Sequence, residues 1–229
     1  FAAESVIDEI CEAIGMDKLE FRRLNGAKEG TRQVIGVPHK QIGLLETVEA
    51  AKRTDHYNTP LEGSNRGRGV AAGYWLNATG PASAVATVNG DGTVNLVEGS
   101  PDIGGTRAAA AMQFAEVLGI TAEDVHPIVG DTESVGYTTV TGGSSVAFKT
   151  GLACFEAAQD IKKQMLGRAA TIWEASPDDV TFADGIFSHK SDPELRMTFK
   201  ELAGKLIHTG GPIVGSASVH PRGVGGAFA

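Results

Sequence analysis

At 229 residues with 41% hydrophobic content, the chain holds enough apolar material for one large core or two modest ones. Its 20 Lys and Arg stand against 28 Asp and Glu, and the basic residues are scattered, which argues against electrostatic capture of nucleic acid or of an acidic membrane surface. No apolar run approaches the ~20 residues that span a bilayer and no signal-type start opens the chain, so a mixed α/β (α+β) globular protein is expected, with the cytoplasm as the default compartment.

Val6, Ile7, Ile10, Cys11 and Ile14 recur at helical spacing ahead of Gly15 and predict an amphipathic first helix. Phe1 enters that pattern directly and Gly225–Ala229 stops in a loop that reads as feeding a strand, so both ends read as cut. Asp17 caps a short second helix through Leu19, Phe21 and Leu24. Residues 28–41 are polar and irregular; Leu44, Leu45, Val48 and Ala51 mark a third helix, and Arg53 to Arg68 reads as a linker. A soft boundary there divides a helical segment, 1–60, from an α/β domain, 67–229.

The period then falls to two. Val70, Ala72, Tyr74 and Leu76 predict one strand; Ala84, Ala86, Val88 and Val94, Leu96, Glu98 predict a hairpin across the turn 89–92. Tyr74 and Trp75 are expected in the core. A helix over Thr106–Leu118, a strand over Val125–Val129 and a long helix from Ser144 to about Trp173 follow. Strands at Val180–Phe182 and Ile186–His189, a helix over Phe199–Leu206 and an extended segment over Ile213–Val219 complete the chain.

The two cysteines, Cys11 and Cys154, have no CxxC spacing and no histidine at ligand distance, which makes them buried thiols and leaves the chain without ligands for an iron-sulfur cluster. The six histidines are dispersed, so no protein-ligated metal is expected. Asp102 and Glu133, in separate loops, read as solvated.

Two places share one design of loop, Gly-Gly pair, hydroxyl residue and helix: Ser100–Thr106 and Thr141–Ser145. Helix starts expose unpaired N–H groups and about half a positive charge, and glycines let a ligand approach the backbone, so each could hold phosphate or pterin oxygens. Neither is a Walker A loop or a GxGxxG turn. The plain alternative is a Thr or Ser N-cap and nothing more.

GSPDIGGT at 99–106, GDTESVGYTTVTGGSSVAFKTG at 130–151 and the opening FAAESVIDEICEAIGMDKLEFRRLN resemble, in the same order, segments of the molybdenum hydroxylase large subunits, the family of xanthine dehydrogenase, aldehyde oxidase and nicotinate dehydrogenase. The resemblance implies that Gly104, Gly105 and Thr106, with Gly142, Gly143, Ser144 and Ser145, contact a molybdopterin cofactor, the cytosine dinucleotide form being among those the family allows. The two helix starts would then face a common cleft. Many relatives carry Gly-Gln-Gly where Gly105 stands and an Arg where Ser145 stands, so bonding at the first loop must come from backbone and a positive charge is lost at the second. The family's catalytic glutamate has no match here, and neither do its upstream glycine loop and hammerhead domain.

The resemblance therefore implies a partial component of an oxidoreductase that hydroxylates aldehydes or N-heterocycles, with no catalytic residue of its own and inactive when isolated. Its implied partners are the remaining large-subunit segments and iron-sulfur and flavin subunits, with 2Fe-2S and FAD on partner chains or missing segments. The competing expectation is a noncatalytic scaffold or remnant domain whose Gly-Gly loops are only helix caps.

Overall fold

The computed structural model describes residues 1–74 and 78–221. Helix α1 spans Ala2–Ile14 and ends at Gly15 in the left-handed conformation; α2 spans Lys18–Asn25 and opens on Asp17, whose carboxylate accepts from the Glu20 N–H at 2.8 Å. Helix α3 spans Leu44–Lys52. Residues read as linker contain a further turn of helix, α4, over Asp55–Asn58, because Thr54 caps it through the Tyr57 N–H. Cys11 is buried as expected, but Val6, Ile10 and Ile14 on the same apolar helix stay exposed.

The strand expected through Val70, Ala72 and Tyr74 does not form. Residues 69–74 have no strand partner, because side chains take their backbone groups: the Val70 N–H donates to Asp8 at 3.0 Å, the Ala72 N–H to Glu4 at 2.6 Å, and the Val70 carbonyl accepts from Arg22 at 2.6 Å. Tyr74 is 79% exposed and so is no core residue; Trp75 and Leu76 lie outside the described residues. Arg68 likewise donates to the Tyr57 and Thr59 carbonyls. The described residues divide into two compact units, 1–74 and 78–221, and these bonds tie residues 68–72 to the first.

In the second unit β1 (Ala82–Val88) and β2 (Val94–Glu98) form the expected hairpin, α5 covers Thr106–Leu118, and β3 (Val125–Val129) returns parallel to β2. The long helix α6 covers Val146–Ile172. A three-stranded sheet follows, of β4 (Val180–Ala183), β5 (Ile186–His189) and β6 (Arg196–Thr198), the last unforeseen because three residues carry no periodicity. Helix α7 is cut to Phe199–Ala203, opened by a capping box between Thr198 and Glu201, and Leu206–His208 adds a 3₁₀ turn. Strand β7 (Val214–Val219) then pairs with β1, giving the order β3-β2-β1-β7. Pro127 sits in β3, an edge strand, where its missing N–H costs no ladder bond on the open side.

The core is built from small residues. Ala82, Ala84 and Ala86 of β1 and Ala153, Ala157 and Ala158 of α6 all have zero exposure, so the helix can lie close on the sheet. Phe114, Leu118, Ile161 and Met165 fill the rest. At the end of α5, Gly119 and Gly185 of the β4–β5 turn meet backbone to backbone, both with positive φ, and a Cβ on Gly119 would fall on the Gly185 N–H.

Two outcomes follow from these contacts. The Ala72 N–H and the Arg22 guanidinium hold Glu4 below its ordinary range; burial raises Asp8, but the Val70 N–H, Lys18 and Arg22 outweigh it and leave its pKa lowered. A depressed carboxylate contributes stability that is full above its unfolded value of about 4 and is lost as pH falls through the folded pKa, so hydrogen-exchange protection of the Val70 and Ala72 amides should hold at neutral pH and collapse below about pH 4. Gly119→Ala combines left-handed strain with overpacking and should cost at least about 2 kcal/mol in urea unfolding, whereas Gly211→Ala, also at positive φ but with no atom within 4 Å, should cost about 1 kcal/mol.

Candidate functional site

Strands β2 and β3 are parallel, and their carboxyl ends lie level: Glu98 is paired with Val129, and the Gly130 N–H donates to the Glu98 carbonyl at 2.9 Å. The two glycine loops, 99–105 and 130–145, therefore leave the sheet side by side at the end where open α/β sheets bind ligands. They enter α5 and α6, which pack along each other. Ser100 at the start of the first loop shares a 2.7 Å hydrogen bond with Thr150 in the second turn of α6, and the Gln113 amide donates to the Ala147 carbonyl at 3.2 Å.

In the first loop Gly104 and Gly105 both adopt positive φ, 63° and 91°, and a Cβ on either would meet nothing within 4 Å. Their backbone is open. Thr106 is not the N-cap; Gly105 is, and it offers no side chain. The Thr106 hydroxyl instead accepts from the Ile103 N–H and donates to Asp102. Asp102 is exposed, as expected of a solvated residue, and also folds back on α5, where it accepts from the Arg107 N–H at 3.2 Å, the bond chiefly responsible for holding its pKa down. Part of this helix start is thus satisfied from within the loop. Glu133 contributes its N–H to a turn closed by Asp131, which also accepts from the Ser134 N–H.

The second loop differs. Gly143 and Ser144 have positive φ, 61° and 56°, and Ser145 stands at the N-cap, but its hydroxyl donates back to the Gly142 carbonyl at 2.8 Å and accepts nothing from the helix. The start of a 27-residue helix is left without a side-chain cap. Space around Gly142 is empty, and its φ is not positive. Two bonds, from the Ala78 N–H to the Gly143 carbonyl at 2.7 Å and from the Thr139 N–H to the Pro81 carbonyl at 2.9 Å, lay residues 78–81 antiparallel along 139–143. The hydroxyls of Thr79, Thr141 and Ser83, all in or beside this run, are buried without a partner among the described residues.

Under the loops lie polar groups that periodicity alone passes over. Lys149, with zero exposure, donates to the Thr139 carbonyl and hydroxyl and the Val140 carbonyl, at 2.7, 2.6 and 2.8 Å; burial pushes its pKa down. Glu98, 2% exposed, accepts from the Ser100 N–H at 2.6 Å and is raised by burial. Its place in the alternation Val94, Leu96, Glu98 is a core position, and Lys149 falls among Val146, Ala153 and Cys154 on the buried face of α6. A charged residue at a core-facing position was the available signal for both. Open glycine backbone, an uncapped helix start and orphaned hydroxyls suit an oxygen-rich anionic group. Among the described residues no three His, Cys, Asp or Glu side chains gather to hold a metal ion, and no helix is long and apolar enough to cross a membrane.

A family model described as a molybdopterin cofactor-binding domain matches residues 43–227. The chain belongs to that family. A xanthine dehydrogenase molybdenum-binding subunit of Escherichia coli O157:H7 is 28% identical over 219 residues, covering 89% of this chain and 29% of the relative, and a nicotine 6-hydroxylase large subunit of Paenarthrobacter nicotinovorans is 25% identical over 225 residues, covering 88% and 28%. The chain thus spans under a third of the length of these relatives. Its fold is shared with the Cu,Mo-CO dehydrogenase, at TM-score 0.71 and 19% identity over 96% of this chain and 32% of that one. The same holds for the aldehyde oxidoreductase of Desulfovibrio gigas, at TM-score 0.57 and 19% identity over 95% and 23%.

Both cysteines of the chain are shielded, Cys11 at 1% and Cys154 at 0% exposure, and burial together with the Glu98 charge pushes the Cys154 thiol up to about 12. Iodoacetamide at pH 8 should leave the native chain unmodified and add two groups after unfolding in urea, read by intact mass.

Proposed function

We propose that this chain is a cofactor-holding component of a molybdenum hydroxylase, with the backbone of Gly104, Gly105 and Thr106 and of Gly142, Gly143, Ser144 and Ser145 turned to one molybdopterin group. The observation that carries this is the second loop: Ser145 stands at the N-cap of α6 and does not cap it, while three buried hydroxyls around the loop lack partners. A loop serving only as a helix cap would use that hydroxyl on the helix. The common origin of both loops at the ends of β2 and β3 favours one ligand for both.

When bound, the group supplies the molybdenum centre at which an aldehyde or N-heterocycle is hydroxylated. The chain's own residues bind and orient it. The N–H groups at the start of α6 face its anionic oxygens and the glycines leave room for close approach. In this reading the cofactor takes the cytosine dinucleotide form, the catalytic base lies in the rest of the large subunit, 2Fe-2S and FAD reside on partner chains or further segments, and the assembly is cytoplasmic. A division into a helical segment, 1–60, and a cofactor-binding domain, 67–229, belongs to the same proposal. The scaffold alternative draws its support from the first loop, where Asp102 occupies part of the helix start.

Position 142 separates the two. Gly143→Val would strain a left-handed residue and confound stability with binding, whereas Gly142 has ordinary φ and open space. Gly142→Val should keep unfolding stability within about 0.5 kcal/mol of the parent and lower the bound molybdenum and oxidised-pterin fluorescence of natively purified protein about tenfold. Unchanged cofactor content in that variant would leave the scaffold reading standing.

A further inference from the structure

Two cations are buried among the described residues, and they are treated differently. Arg22, 6% exposed, is paired with Glu4 at 2.8 Å and Asp8 at 3.2 Å. Lys149, fully buried, has no carboxylate within ion-pair distance among the described residues, and its three protons all go to neutral oxygens of Thr139 and Val140. An ammonium withdrawn from water without a counter-charge is strongly unfavourable relative to an apolar side chain of the same shape. Holding a turn in place does not require that charge, since a neutral donor such as a side-chain amide could make the same kind of hydrogen bond.

The position of Lys149 indicates what the charge serves. Its backbone N–H donates to the Ser145 carbonyl at 2.8 Å, placing it in the first turn of α6, and the residues it grips, 139 and 140, run directly into Thr141–Gly142–Gly143–Ser144–Ser145. The hydroxyl of Thr141, next in the chain, is one of those left without a partner. The ammonium thus adds a full positive charge to the half charge of the helix start, in surroundings that screen it poorly.

We infer that Lys149 is a positioning residue of the second glycine loop: it sets the course of residues 139–145 and supplies, from beneath the loop, the positive charge that a phosphate-type group bound above it requires. This rests on reading that loop as a ligand surface and adds the source of charge, which is absent from Ser145 itself. The ammonium does not touch the ligand, because its donors are occupied. It acts through the loop and through the potential at the α6 start. An anion there offsets the unpaired charge, so ligand and lysine stabilise each other.

Titration of the ¹⁵N-labelled chain with sulfate, a tetrahedral dianion, tests this through amide shifts of residues 141–147. The parent should show saturable shifts there. Lys149→Met, which keeps the stem and loses both the charge and the three hydrogen bonds to residues 139 and 140, should weaken sulfate about tenfold, and Lys149→Arg, which keeps charge and donors, should restore affinity to within about threefold of the parent. A folded Lys149→Met that binds sulfate as the parent does, beside a Gly142→Val that does not, overturns the role of Lys149 and leaves the loop as the site. Absence of saturable shifts in the parent, or an unaffected Gly142→Val, overturns the loop reading and the inference with it. Should Lys149→Met fail to fold, the decision passes to Lys149→Arg: retained sulfate affinity supports the charge, and its loss in a folded protein refutes it.

Discussion

The parallel pairing of β2 with β3 is the constraint on which the rest of the second unit depends. Parallel neighbours cannot be joined by a tight turn, so the chain must leave the end of β2, cross over as α5 and re-enter beside its starting strand. The carboxyl ends of both strands then point the same way, and whatever follows each strand emerges at one place. With Glu98 level with Val129, two loops far apart in sequence become neighbours, each terminating in a helix start. An antiparallel pairing would have sent them to opposite ends of the sheet.

This arrangement requires small side chains in the core and polar ones beneath the loops. Alanine on β1 and α6 lets the long helix lie close on the sheet, and Ser100 and Thr150 bridge the first loop to that helix. Glu98 and Lys149 occupy positions where apolar residues would pack more favourably, Glu98 holding the Ser100 N–H and Lys149 holding residues 139–140. Departures of this kind, a charge at a core-facing position next to a glycine loop, are expected where binding rather than stability decides the residue.

The first unit follows another principle. Its helices are short, and isolated helices below about 12–15 residues are marginal. Arg22 compensates by drawing Glu4, Asp8 and the Val70 carbonyl into one network, so that two carboxylates of α1 hold the backbone of a following segment as a strand would. Lys149, which among the described residues meets only neutral oxygens, and the doubly paired Arg22 mark two uses of a buried cation in one chain.

Sequence by itself determined the elements whose signal is local. The 3.6 period with Gly15 and Asp17 located α1 and α2, and the turn at 89–92 between alternating runs located β1 and β2. The two glycine segments were legible as helix starts, and three motifs in order were enough to indicate the family. Tertiary structure decided what local pattern cannot hold. Alternation through Val70, Ala72 and Tyr74 is the same whether the N–H groups meet a strand or two carboxylates, and only the placement of Glu4 and Asp8 chose between them. A hydroxyl before a helix reads as a cap whether it turns forward or, as in Ser145, back to the Gly142 carbonyl. That Glu98, Lys149 and the orphaned hydroxyls lie by the loops follows from parallel pairing and helix packing, contacts between residues tens of positions apart that no window along the chain contains.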